Sequence, residues 1–151
     1  MKIALGPNLY YWDKETTFNF YQQVAHWPVD TVYLGETVCA RRYLMRLNDW
    51  LEIAQMLQAA GKEVVLSSLG LIESEADAQS IQRLLDHSAL LIEANDMGAV
   101  QMLNGRPFVA GAGLNIYNTQ TLEFLTQLGA KRWVMPVEMN KETLSAILQQ
   151  K

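Results

Sequence analysis

The sharpest chemical position in the 151-residue chain is its single cysteine, Cys39, in the segment GETVCARR. Arg41 and Arg42 follow it closely, and neighbouring positive charge favours thiolate, the form that ligates metals and attacks electrophiles. The bland alternative is a small buried hydrophobe, which is how lone cysteines usually serve. A nucleophile needs a base within reach, and the only histidines are His26 and His87. Both fall at the far ends of expected helices, on the side away from the strand C-termini, so cysteine–histidine catalysis is not expected. A metal site inside these residues fails on ligand count. Zinc takes three or four ligands, and a cubane iron–sulfur cluster is usually held by four thiolates. If Cys39 binds metal, its co-ligands lie elsewhere.

Other polar residues fall where expected strands end: Asn8, Glu36, Ser67, Ser68, Glu93, Asn95, Asp96, Asn115 and Glu138. In parallel α/β folds ligands gather at that edge, although loop ends are polar in any case. Gly111-Ala112-Gly113 begins like a dinucleotide fingerprint, but Ile116 stands where the third glycine belongs and no helix opens at once. It is rejected as a nucleotide loop. Tyr10, Tyr11 and Trp12 suit stacking on a ring substrate, or equally the capping of a barrel mouth or partner interface.

The elements that must position these residues repeat one rhythm. Expected strands are 2–6, 31–36, 63–69, 89–94, 107–111 and 132–138, mostly aliphatic runs without clean alternation, as in strands covered on both faces. Helices are expected at 14–27, 48–60, 74–87, 96–104, 118–128 and 140–150. Asp13, Asn48, Ser74, Asn118 and Asn140 supply capping oxygens, and Ser74 with Asp77 forms a capping-box pattern. Gly61 and Gly129 read as left-handed helix stops. Half of the residues are hydrophobic, enough for the core of one globular domain. A net charge of −4 offers no footprint for nucleic acid. No stretch has the form of a secretory signal or a membrane span, so the cytoplasm is the expected compartment.

Alternating strands and helices imply a parallel sheet with right-handed crossovers. Two closures fit: a complete doubly wound sheet, or part of a (β/α)-barrel, which needs about 250 residues. The last helix, KETLSAILQQK, carries no stop signal and favours the second. The expected fold is therefore the first six βα units of a TIM-like barrel, with residues 1–151 as the N-terminal portion of one domain and two open sheet edges.

Taken together, GPNLYYWDKET, TVYLGETVCARR, NDWLEIAQ, VVLSSL, LIEANDMG, FVAGAGLNIYN and RWVMPVE resemble the collagenase-like peptidase family of unknown catalytic type. The resemblance runs over essentially the whole chain with its spacing kept. It implies a longer protein with an N-terminal (β/α) barrel and no demonstrated proteolysis. It further implies a heterodimer with a sister protein of the same family, acting on an aromatic quinone precursor in oxygen-independent ring hydroxylation for ubiquinone biosynthesis. By the same resemblance a 4Fe-4S cluster is held by four cysteines. The first matches Cys39; the other three lie outside these residues, so this chain alone is not expected to hold the cluster. The family's following arginine matches Arg41 or Arg42, with no assigned role. Ala112 and Ile116 stand where some relatives carry histidine and cysteine, neither of them a cluster ligand. Catalytic residues are not assigned. A peptidase-like hydrolase and a non-catalytic α/β binding module are the competing readings.

Overall fold

The computed structural model describes residues 1–87 and 89–149. Its six strands are β1 (Ala4–Leu5), β2 (Thr31–Leu34), β3 (Glu63–Ser67), β4 (Leu91–Ala94), β5 (Phe108–Ala110) and β6 (Ala130–Trp133). Between and after them run α1 (Lys14–Val24), α2 (Leu47–Ala59), α3 (Glu75–His87), α4 (Met97–Leu103), α5 (Thr119–Gln127) and α6 (Lys141–Gln149). A short 3-10 turn at Ala112–Leu114 follows β5. The expected order holds throughout; Gln150, placed in the last helix by the sequence, lies outside the described residues.

Most helix starts follow the expected capping chemistry. Asp13, Asn118 and Asn140 each accept a backbone N–H from three residues on. Ser74 and Asp77 bond reciprocally, side chain to backbone in both directions. The second helix is a correction. It begins at Leu47 with Arg46 as its cap residue, and Asn48 lies inside the first turn. Asp49 reaches back to the Arg46 N–H at 2.9 Å and also binds Lys14 Nζ at 2.5 Å. A carboxylate so placed satisfies a free donor and complements the positive end of the helix. Gly61 and Gly129 adopt positive φ, +80° and +116°, at the expected stops.

β6 was expected at 132–138 and forms earlier. Its ladder with β5 starts at Phe108 and Ala130, with an irregularity that sets Val109 opposite Arg132. Val134 N–H still reaches the Ala110 carbonyl at 2.8 Å. Pro136 has no N–H to offer, and its carbonyl instead accepts from Met139 in a turn.

All five pairings are parallel and the strands neighbour one another in chain order, β1 to β6. A doubly wound sheet reverses its order at a switch point; this one does not. With right-handed crossovers, unbroken order sets every helix on one face. Side-chain parity agrees. Val32, Leu34, Val64, Leu66, Ile92, Ala94, Phe108 and Ala110 share one core cluster with residues of the helices, while Tyr33, Val65 and Val109 form a second.

The second face is concave. Arg132 on β6 donates through Nη2 to both carboxylate oxygens of Glu63 on β3, at 2.9 and 3.1 Å, and through Nη1 to Tyr33 Oη on β2 at 3.4 Å. In a flat sheet β3 and β6 would stand about 14 Å apart, three strand spacings, too far for side chains standing perpendicular to it. The sheet is therefore rolled into a curled half-barrel, an incomplete TIM-like α/β barrel.

This clamp has a pH signature. Hydrogen bonds from Arg132 and then Thr31 hold the Glu63 carboxyl below its ordinary 4.5. A carboxyl with a depressed folded-state pKa stabilises the fold above its unfolded value and loses that contribution as pH falls through the folded one. Both side chains are about two-fifths exposed, so the pair contributes at most about 1 kcal/mol. Arg132→Gln is expected to lower the urea midpoint near neutral pH and to match the parent well below pH 4. An equal deficit at both pH values would assign the loss to packing instead.

Candidate functional site

The C-terminal ends of β3 and β4 build a buried polar cluster at the rim. Ser67 Oγ donates to Glu93 Oε2 at 2.6 Å, and Asn95 Nδ2 donates to the same oxygen at 3.2 Å. The Asn95 amide also reaches the Ser68 carbonyl at 3.3 Å, while its backbone N–H donates to Ser68 Oγ at 3.0 Å. Ser67, Ser68, Glu93 and Asn95 are all buried, Glu93 to within 5 % of full enclosure. A buried carboxylate is tolerated only where donors surround it, and here hydroxyl and amide groups serve. The cluster fixes the ends of two strands relative to one another and sets a polar floor under the rim.

Gly111 and Gly113 make this possible. A Cβ at Gly111 would lie 2.1 Å from Asn95 Oδ1, and one at Gly113 would lie 2.5 Å from the Asn95 carbonyl oxygen. The glycine spacing thus serves close approach to Asn95, and a 3-10 turn ending in left-handed Asn115 (φ 53°) follows.

Cys39 sits on the loop after β2 and is partly exposed. Glu36 folds back under the loop, accepting the N–H groups of Val38 at 2.8 Å and Cys39 at 3.1 Å. The Cys39 carbonyl accepts from Arg42 N–H at 3.1 Å, closing a turn. The Arg42 guanidinium is engaged elsewhere: it donates to the Leu9 carbonyl at 2.9 Å, lies 5.5 Å from the Tyr11 ring centroid and approaches Glu36 to 3.9 Å. It ties the first loop to the second. His87 Nδ1 pairs with the Arg83 carbonyl one turn back in α3, at 2.9 Å.

The remaining rim residues serve local structure. Asp96 caps α4 through the Gly98 N–H, and Asn8 accepts the Tyr10 N–H in a turn. Tyr117 donates to Glu138, which lowers the Glu138 pKa and raises that of the phenol. Tyr10 stacks on Trp12, whose edge meets Phe20, while Tyr11 stays 62 % exposed.

Sequence reasoning missed a groove of about 700 Å³ whose walls come from α2, α3 and the Cys39 loop. No local pattern foretells the spacing of two helices that pack against different neighbours. Among the described residues no group of three or more His, Cys, Asp or Glu is arranged to hold a metal ion. A lone, partly exposed thiol such as Cys39 could at most be one ligand of an iron–sulfur cluster and is not a complete site. No described helix is long and apolar enough to cross a membrane.

The sequence model of peptidase family U32 matches residues 17–151. No solved structure matches the chain.

Proposed function

We propose a function that starts from family membership: the chain belongs to peptidase family U32. Within that family the segments around Cys39 resemble UbiV, and the proposal is that this chain is the N-terminal part of a UbiV-like protein. Cys39 would supply one thiolate, and three cysteines outside these residues the others, to a 4Fe-4S cluster. A UbiU-like protein is the proposed heterodimeric partner. Together they would support oxygen-independent hydroxylation of an aromatic quinone precursor in ubiquinone biosynthesis, in the cytoplasm. The cluster, when bound, supplies single-electron chemistry.

One observation carries this reading. The sole thiol is partly exposed, and it sits on a loop beyond the C-terminal end of a strand, the edge where (β/α) barrels assemble their sites. The chain's own contribution is positional. Glu36 shapes the Cys39 turn, Arg42 ties that turn to the aromatic loop at Leu9 and Tyr11, and the Ser67–Glu93–Asn95 cluster stiffens the rim beside it.

The hydrolase reading has one geometric point in its favour, the 2.6 Å bond from Ser67 to Glu93. Ser67 is only 2 % exposed, so its hydroxyl is sealed from a peptide substrate. It ranks second.

Genetic complementation tests the proposal. A bacterium lacking its own UbiV, grown without oxygen, should regain ubiquinone when given the full-length gene together with its UbiU-like partner. Full expression of both proteins without ubiquinone would sink the assignment.

A further inference from the structure

We propose that the groove between α2 and α3 binds a small organic anion with an apolar or aromatic body. The inference goes beyond the redox reading and needs no cluster. Its volume, about 700 Å³, lies within the range of about 300–1,000 Å³ typical of small-molecule sites. Three walls flank this open groove: the loop after β2, the start of α2 and the second half of α3, over a floor at the end of β3.

Charge selects the ligand's sign. The chain as a whole carries 16 acidic and 12 basic residues, yet Arg42, Arg46 and Arg83 all line this groove against a single carboxylate, Glu36. That carboxylate already accepts two backbone N–H groups and lies near Arg42. Arg46 is the cap residue of α2 and Arg83 lies on α3, so the groove is lined by an arginine from each of two helices. Arg83 gives an N–H to Ser80 Oγ at 3.0 Å, and a guanidinium carries five such donors. Arginine is the side chain suited to planar, bidentate recognition of a carboxylate, sulfonate or phosphate, and two of them on separate helices line one groove.

The rest of the lining selects the body. Trp50, Met45, Ile81 and Leu84 give the groove an apolar flank, on which a ring or short chain loses water-exposed area while its anionic head meets the arginines. A simple inorganic ion would leave that flank unused.

The probe is anilinonaphthalene sulfonate, an aromatic anion whose emission rises on binding, set against phenylnaphthylamine, which has the same rings without the charge. The expected result is saturable binding of the anion at one site per chain, with the neutral probe bound far more weakly. Arg46→Gln with Arg83→Gln should weaken the anion by about tenfold or more, since each removes a charge-assisted contact. Both arginines are exposed, so the melting temperature of this variant should stay near the parent's. Displacement by benzoate or by phenyl phosphate then distinguishes a carboxylate from a phosphate head. The Trp50 indole N–H resonance, identified by its loss in Trp50→Phe, should shift on titration. Equal binding of both probes, unchanged affinity in the double variant, or an unmoved Trp50 resonance would each overturn the proposal.

Discussion

Full-length protein carrying Cys39→Ala, reconstituted without oxygen, is expected to retain less than half the iron of the parent and to lose most of its visible thiolate-to-iron absorption. Ligand count sets the size of the loss. A cubane usually needs four thiolates, and the proposed set contains one from this chain. Removing it leaves an iron corner open to solvent and oxidant. The substitution should do little else. Cys39 is only partly buried, and its hydrogen bonds run through its backbone, N–H to Glu36 and carbonyl from Arg42, both of which alanine keeps. Stability should move by no more than about 0.5 kcal/mol, as for ordinary surface changes. A folded variant depleted of iron therefore reports ligand loss, while an unfolded one would identify a packing role. Cys39→Ser keeps the size but not the soft ligand, so it should fall with alanine. Parent-level iron in either variant would remove Cys39 from the site.

What the sequence made legible, it did through local pattern. Strands covered on both faces show no alternation, so TVYL, EVVLS and LIEA stood out by their shortness and their β-branched and aliphatic residues. Capping oxygens marked most helix starts. Boundaries shifted where a single backbone N–H, its partner or its absence, decided them. Asp49, at the third position of α2, moved that helix's start to Leu47, and the missing N–H of Pro136 shortened β6. The Arg132–Glu63 clamp joins residues 69 apart in sequence, and no periodicity carries such a pairing.

At the rim, nine positions from Asn8 to Glu138 looked alike in the sequence, because each is simply a polar residue near a strand end. Distance separates them. Ser67, Ser68, Glu93 and Asn95 meet in one buried cluster, whereas Asn8, Glu36 and Asp96 satisfy N–H groups in their own loops. The α2–α3 groove was invisible for the same reason as the clamp: it is a property of how helices space themselves, and Arg46 and Arg83 come to it from separate elements, 37 residues apart.

Gly111→Ala should destabilise the fold by about 2–4 kcal/mol, the range of overpacking joined to a broken buried hydrogen-bond network. Backbone freedom is not the cause. Gly111 has φ −75° and ψ 165°, a conformation open to any residue, and at such a site alanine alone would stabilise by about 0.4–1 kcal/mol through the unfolded state. The obstacle is Asn95. The new methyl would sit 2.1 Å from its Oδ1 and 2.8 Å from its Cγ, with Glu93 Cγ at 2.9 Å. Asn95 cannot swing aside cheaply, because its amide holds Glu93 and the Ser68 carbonyl in a buried setting. Moving it would leave the buried Glu93 side chain with Ser67 as its remaining donor among the described residues and the Ser68 carbonyl without the amide. A double-mutant cycle isolates this mechanism. Asn95→Ala is itself costly, but it removes the atoms that the methyl strikes. Adding Gly111→Ala to it should then cost little, within about 1 kcal/mol in urea-unfolding free energy, the residue of the Glu93 contact. Full additivity of the two substitutions would show that Gly111 is required for some reason other than room for Asn95.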